Sequence, residues 1–239
     1  MMQFLRSLIF NILIYIAMAV YSVIFFIPAL FSRDWAFRAC HTWCITVRWL
    51  ARWLVGLETE IRGTPPTGAV VIAAKHQSFL DIIMIYNAVP RGKFIMKREL
   101  IYTPMLGQYA LRIGCVPVNR GKRGAAIEKM KHDVEKGRAE PGQLIIYPQG
   151  TRVAPGEKRP YKVGSGVLYE QLEQPCVPVA VNVGYFWPKR GVLRRPGKAV
   201  VEFLDPIEPG LPAKEFMAIL EDRVETRSDA LLEEAKTAH

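Results

Sequence analysis

The chain has 239 residues, enough for one substantial core and too few for two full domains plus a membrane anchor. Half of its residues are hydrophobic, but they crowd into the N-terminal part and leave the remainder with the composition of an ordinary soluble domain. The net charge of +10 and pI near 9.6 point to an anionic partner, and leave open whether that is lipid, nucleic acid or a phosphorylated substrate.

From Ser7 to Ser32 no side chain is charged and nearly every one is apolar. The run exceeds the roughly 20 residues that cross a bilayer core. It is also longer than a signal-peptide core and precedes no small-residue cleavage site, so it reads as a retained anchor. Whether it spans the bilayer or turns back as a hairpin stays open, with Pro28 as the expected turn. Next comes a predicted helix from Ser32 to Leu57. At 100° per residue it gathers Arg38, His41, Arg48 and Arg52 on one side and Trp35, Trp43, Trp53, Leu50 and Leu54 on the other. That pattern describes a helix lying among lipid headgroups, or alternatively one packed on the soluble domain with a solvated basic face.

After Gly56 short apolar runs alternate with helical stretches. Strands are expected at Glu58–Arg62, Ala69–Ala74, Lys93–Lys97, Cys115–Asn119, Gln143–Tyr147, Val177–Val183 and Ala199–Phe203. Helices are expected at Phe79–Ala88, Tyr102–Ile113, Gly124–Lys136, Ser165–Glu173 and Ala213–Ala235. The fold class is therefore α/β: a mixed, mostly parallel sheet covered by helices, behind an N-terminal membrane-associated helical hairpin. Cys40, Cys44, Cys115 and Cys176 form no CxxC pair and read as small apolar side chains in a reduced, cytosol-facing protein.

Chemistry-bearing residues gather where strands end. In VVIAAKHQSFLD a one-turn loop brings Asp81 to His76, an arrangement that holds one imidazole tautomer and makes a general base. The same residues also fit a plain capping box between Ser78 and Asp81. In GCVPVNRGKRG, Arg120, Lys122 and Arg123 sit among glycines ahead of a helix, a phosphate cradle or a solvated basic turn. In LIIYPQGTR, Gly150 permits close approach, Thr151 offers a hydroxyl and Arg152 a two-point contact to phosphate. In QPCVPVAV, Pro178 interrupts an apolar strand and reads as a strand edge or pocket wall.

In combination these blocks resemble the glycerolipid acyltransferases, and most closely the bacterial 1-acylglycerol-3-phosphate acyltransferases. The HxxxxD block is His76 to Asp81, the second block runs from Gly114 to Arg120, the third is Gln149-Gly150-Thr151-Arg152, and the fourth is Val177-Pro178-Val179. Phe94 to Leu100, which contains Lys97, resembles the basic segment between the first two blocks. The resemblance covers roughly residues 60 to 185 and is carried by the order of the four blocks rather than by any one of them.

The resemblance implies a membrane-anchoring two-helix segment at 1–57 and an acyltransferase domain at 58–239. It implies direct transfer from acyl-CoA or acyl carrier protein to the 2-hydroxyl of 1-acylglycerol 3-phosphate, without cofactor or metal. His76 and Asp81 would be catalytic. Lys97, Arg120, Gln149, Gly150, Thr151, Arg152, Val177 and Pro178 would contact substrate, and backbone N–H groups near Gly150 would receive the oxyanion. The expected setting is the bacterial inner membrane with the catalytic domain on the cytoplasmic face; nucleic acid is not an expected partner, because the basic residues are dispersed. One departure stands out, since the third block is usually EGTR and here begins with Gln149. Glutamine keeps one acceptor, loses the charge and gains an N–H donor. That substitution keeps two alternatives in view: an acyltransferase acting on another lysolipid, such as lyso-ornithine lipid, and a non-catalytic membrane-binding homologue.

Overall fold

The computed structural model describes residues 1–103, 106–118, 128 and 141–237. The apolar N-terminal run forms a long helix α1 (Met2–Ile24) and a short α2 (Phe26–Phe31), and α3 (Arg33–Leu50) returns beside α1. Pro28 has no N–H to offer the Ile24 carbonyl, and α1 ends there. The reversal itself falls at Ser32 rather than at Pro28. Ser32 is extended, and its hydroxyl caps α3 by accepting the Asp34 N–H at 3.2 Å. A π turn over Ala51–Val55 closes α3.

α1 carries polar residues at intervals of four, Gln3, Ser7 and Asn11, which share one face of the helix. All three bond to the loop at 192–194. The Gln3 amide donates to the Val55 and Arg194 carbonyls at 3.0 and 2.9 Å, and the Asn11 amide to the Val192 carbonyl at 3.0 Å. Ser7 accepts the Arg194 N–H at 2.9 Å, and Asn11 Oδ1 accepts from the Arg194 guanidinium at 2.9 Å. Phe10 and Ile14 on the same side are fully buried, and Phe10 meets Trp187 edge to face. Each contributes about 1.5–3 kcal/mol by leaving water. The opposite side of α1 and α2 exposes Leu5, Ile9, Ile12, Ile16, Val20, Ile24, Ile27 and Phe31.

α3 departs from the expected partition into a basic and an aromatic face. Arg48 turns inward and donates to Thr59 Oγ1 at 2.9 Å and Asn87 Oδ1 at 2.7 Å, while the His41 ring lies 5.0 Å from that of Tyr86. Trp43, placed by the helical wheel opposite the basic residues, is half-buried and donates to the Ile14 carbonyl at 2.9 Å. The outward aromatics are Trp35, Trp49 and Trp53. The reason is that α3 is sandwiched: α1 covers one side, the helices on the sheet another, and only a narrow strip is left outside.

The sheet contains β1 (Leu57–Arg62), β2 (Val70–Ala74), β3 (Lys93–Lys97), β4 (Val116–Val118), β5 (Gln143–Ile146), β6 (Cys176–Val181) and β7 (Gly197–Phe203), in the order β1-β7-β6-β2-β5-β3-β4. Every pairing is parallel except β6 with β7. This is the mixed, mostly parallel sheet that the alternating pattern calls for. Between strands lie the helices α4 (Leu80–Ala88), α5 (Leu106–Arg112), α6 (Gly164–Leu172) and α7 (Val183–Phe186), and α8 (Ala213–Thr237) follows the last strand. The helix expected at Tyr102–Ile113 begins instead as a 3-10 segment, Arg98–Tyr102, and resumes as α5. Pro104 accounts for this, because it disfavours helical geometry at the residue before it. The helix expected at Gly124–Lys136 lies outside the described residues, apart from Glu128.

Two layers of core flank the sheet. Ile72, Ala74, Ile145, Val177 and Val179 pack with α1, α3 and α4 in one cluster, which joins the hairpin to the sheet in a single core. Val71, Ala73, Leu144, Ile146 and Cys176 pack with Phe216, Leu220 and Val224 of α8 on the other side. α5 fastens the far end of the hairpin: Tyr109 donates to the Ser22 carbonyl at 2.8 Å, and Arg112 caps α2 by donating to the carbonyls of Ala29, at 2.8 Å, and Leu30.

Candidate active site

Strand alternation decides where each side chain goes. In β2 the even residues face the hairpin and the odd ones face α8, so His76 emerges on the hairpin side and Lys75 on the other. β5 runs beside β2 with the opposite parity, which puts Tyr147 on the hairpin side. The two rings stack with centroids 4.0 Å apart and planes 22° from parallel.

Asp81 lies in the first turn of α4 and is completely buried. Its Oδ1 meets His76 Nδ1 at 2.8 Å. Its Oδ2 accepts the Gln77 N–H at 2.8 Å and the Ser78 N–H at 2.6 Å. The two readings of this motif therefore hold together, since one oxygen holds the loop and the other holds the ring. The capping box forms by half: Asp81 takes the Ser78 N–H, while Ser78 Oγ accepts the Leu80 N–H at 3.1 Å rather than that of Asp81, and the helix starts at Leu80. With Nδ1 bound to a carboxylate, the proton resides there and Nε2 is left as the basic nitrogen. The side chain is 14% exposed, and Nε2 has no hydrogen-bond partner among the described residues. Burial and the adjoining Asp81 carboxylate push the Tyr147 phenol well above its usual pKa, so it stays neutral.

The third block runs out of β5. Gly150 has φ +66, and a Cβ there would lie 2.7 Å from Lys162 Nζ, so both the backbone conformation and the neighbour favour glycine. Its own N–H donates to the Tyr147 carbonyl at 2.8 Å and is thereby removed from the expected oxyanion donors. The N–H groups of Thr151 and Arg152 make no hydrogen bond among the described residues. Gln149 is buried and turns to the α8 side of the sheet, away from His76.

Arg152 and Lys189 hold each other through their backbones: Arg152 Nη1 donates to the Lys189 carbonyl at 3.3 Å and Lys189 Nζ to the Arg152 carbonyl at 3.0 Å. They line an open cavity of about 260 Å³ with Phe79, Trp187, Arg190, Arg194, Asn11 and Tyr15. Four cations thus meet between the HxxxxD block and α1. Val177 and Pro178 are buried in the sheet and do not line this cavity. β6 is interior rather than an edge strand. Pro178 is accommodated because its missing N–H falls between the β7 ladder, which starts at Val179, and the Cys176–Ile207 bridge. Lys97 ends β3, with its side chain outside the described structure, and Arg120 with the rest of the basic turn (Gly121, Lys122, Arg123, Gly124) lies outside the described residues.

Tyr147, Lys189, Arg190, Lys75 and Glu225 belong to the site's surroundings and escaped the reading by motif. Lys75 carried a signal, as a charged residue directly following the apolar VVIAA. Tyr147 carried a weaker one, its parity in the strand beside β2.

A family model described as Acyltransferase matches residues 58–182. The 1-acyl-sn-glycerol-3-phosphate acyltransferase of Pseudomonas aeruginosa is 27% identical, over 82% of this chain and 77% of its own length. The enzyme of that name from Saccharomyces cerevisiae is 32% identical, over 64% of this chain and 53% of its own, and the alpha form from Mus musculus is 29% identical, over 66% and 57%. The chain thus spans little more than half the length of these two eukaryotic relatives. The crystal structure of the 1-acyl-sn-glycerophosphate acyltransferase PlsC from Thermotoga maritima shares the fold, with a TM-score of 0.79 and 22% identity, covering 96% of this chain and 98% of that one.

Proposed function

Since this chain belongs to the acyltransferase family, we propose that it moves a fatty acyl group from acyl-CoA or acyl carrier protein to the 2-hydroxyl of 1-acylglycerol 3-phosphate, giving phosphatidate. The observation that carries the reading is the His76–Asp81 contact on the hairpin side of the sheet, with Nε2 unengaged. His76 Nε2 takes the hydroxyl proton as the oxygen attacks the thioester carbonyl. Asp81 stabilises the imidazolium that results, and collapse of the tetrahedral intermediate expels the thiolate, which recovers the proton. A positioned base of this kind is worth about 10²–10⁴ in rate. The unpaired N–H groups of Thr151 and Arg152 are the loop's donors for the oxyanion. The acceptor phosphate is held by Arg152 with Lys189 and Arg190, joined by Lys97 and Arg120 as the sequence suggests. The reaction calls for no metal or redox cofactor.

Lipid is both substrate and surface. α1 is long and apolar enough to cross a bilayer, but its N-terminal half is bonded to a loop flanked by Lys189, Arg190 and Arg195, and its far end to α5. Crossing would carry those charged segments into hydrocarbon, which supports a hairpin embedded from one side. In a bacterial cell this is the cytoplasmic face of the inner membrane, where the acyl donors are.

The test presents purified protein in lipid with acyl-CoA or acyl carrier protein, and compares lysophosphatidate with lyso-ornithine lipid by thiol release and product mass. Phosphatidate formation that disappears in His76→Ala, with vesicle binding retained, is the expected result. Transfer only to lyso-ornithine lipid would overturn the assigned acceptor, and undiminished turnover in His76→Ala would overturn the mechanism.

A further inference from the structure

On the α8 side of the sheet, beneath the loops that bear His76 and Arg152, lies a buried polar cluster that the transfer mechanism does not use. Lys75 is 1% exposed, and its ammonium is paired with Glu225 Oε2 of α8. The other oxygen of the same carboxylate accepts from the Tyr161 hydroxyl at 2.9 Å and lies 3.4 Å from the Gln149 amide nitrogen. That nitrogen is also 3.4 Å from the Arg159 carbonyl. Burial and the Glu225 carboxylate raise the Tyr161 pKa, so its hydroxyl is a fixed donor.

This geometry dictates the residue type at 149. Both neighbours of the amide nitrogen are acceptors, so the atom there has to be a donor. An ionised glutamate would set three acceptors against one another. It would also leave the cluster with two carboxylates and one ammonium, an uncompensated charge in a site largely removed from water, where Lys75 is 1% and Glu225 14% exposed. With glutamine the charges balance, Lys75 against Glu225. Glu225 thereby ties three segments together: the turn after β2, the turn after β5 and the stretch ahead of α6. The first holds His76 one residue from Lys75, the second holds Arg152 three residues from Gln149, and the third holds Lys162, which lies across Gly150.

We propose that Glu225 is a positioning residue for acyl transfer, supplying from α8 the carboxylate that the third block usually carries at its first position and fixing the His76 and Arg152 loops relative to each other. Gln149 is then the matching half of a relocated charge rather than a lost one. The inference rests on the acyltransferase reading for its kinetic consequence, but not for the charge pairing itself.

The experiment compares wild type with Glu225→Gln, Gln149→Glu and the double variant. It measures kcat and KM for lysophosphatidate at pH 8, and thermal midpoints in the same lipid mixture. Each single variant is expected to lose at least tenfold in kcat per folded molecule with KM changed less than threefold, because loop register is disturbed rather than binding. The double variant returns a carboxylate to the cluster and is expected to regain at least fivefold over Glu225→Gln, in midpoint order as well as in kcat. A double variant no more active than Glu225→Gln, or a Gln149→Glu enzyme as fast as wild type, overturns the proposal. Lowered midpoints with unchanged kcat would also overturn it, by making Glu225 structural only. If wild type itself fails to turn over, the acyltransferase reading falls. The midpoints then decide the charge relocation alone: additive losses refute it and a recovered double variant sustains it.

Discussion

Replacing Asp81 with asparagine separates the two tasks of that carboxylate. The new side chain can turn its carbonyl to the Gln77 and Ser78 N–H groups, which in the wild type bond to one oxygen at 2.8 and 2.6 Å. The loop therefore keeps its anchors, at reduced strength, for a cost of about 1–3 kcal/mol as charge-assisted bonds become neutral. What then stands opposite His76 Nδ1, where the wild-type oxygen lies at 2.8 Å, is the amide NH₂. A donor there forces Nδ1 to accept, moves the ring proton to Nε2 and leaves nothing basic facing the acceptor hydroxyl. The expected loss is the whole contribution of the base, about 10²–10⁴ in kcat, with KM for lysophosphatidate little changed because no phosphate contact is touched. Thiol release measures the rate, and ¹⁵N chemical shifts of labelled histidine report which nitrogen carries the proton. An Asp81→Asn enzyme within tenfold of wild type, or one whose Nδ1 stays protonated, would refute the assignment of Nε2 as the base.

Tyr147→Phe keeps the ring stacked on His76 and removes a neutral hydroxyl, so kcat is expected to fall less than tenfold; Tyr147→Ala removes the stack and opens a cavity, costing about 3–5 kcal/mol and at least a hundredfold in kcat, and equal effects of the two would show that the ring is immaterial. Arg194→Ala takes away bonds to Asn11 and to the carbonyls of Gly191 and Leu193, and a guanidinium 4.5 Å from the Trp187 ring. It should lower stability by about 2–4 kcal/mol, read as a reduced thermal midpoint; an unchanged midpoint would dissolve the claim that this loop secures α1. Burial pushes the thiols of Cys115 and Cys176 up to about 11 and about 12. Their contribution to stability is thus complete below about pH 9 and lost as pH climbs through those values, roughly 1.4 kcal/mol per group for each pH unit. At pH 8 both should resist alkylation until the chain is unfolded, and rapid labelling of the native enzyme would contradict their burial.

How far the fold could be read in advance depended on how local its causes are. The strands announced themselves because β2, β5 and β6 are buried on both faces and need unbroken apolar runs. His76 and Asp81 are five residues apart, so their contact follows from a single turn. Lys75 and Glu225 are 150 residues apart, and nothing in the neighbourhood of either names the other; only the packing of α8 under β2 brings them together. The same holds for α3. A helical wheel treats every outward residue alike, whereas the neighbours differ, so Arg48 found Asn87 and Thr59 and Trp43 found Ile14. Gln3, Ser7 and Asn11 were the legible exception left unread. Their spacing of four gave a face, and a polar face on an apolar helix demands a partner.

That partner has a consequence for how the molecule is made. Gln3, Ser7 and Asn11 bond to residues that follow them by 181 to 191 positions. On the ribosome α1 emerges ahead of the strands and has to wait for most of the domain before Arg194 exists. During that interval its polar stripe is left to water, and its exposed apolar side favours any apolar surface it meets, a bilayer among them. The order of synthesis thus leaves α1 without its polar partners until the loop at 192–194 is made, and that loop then locks the helix onto the finished domain.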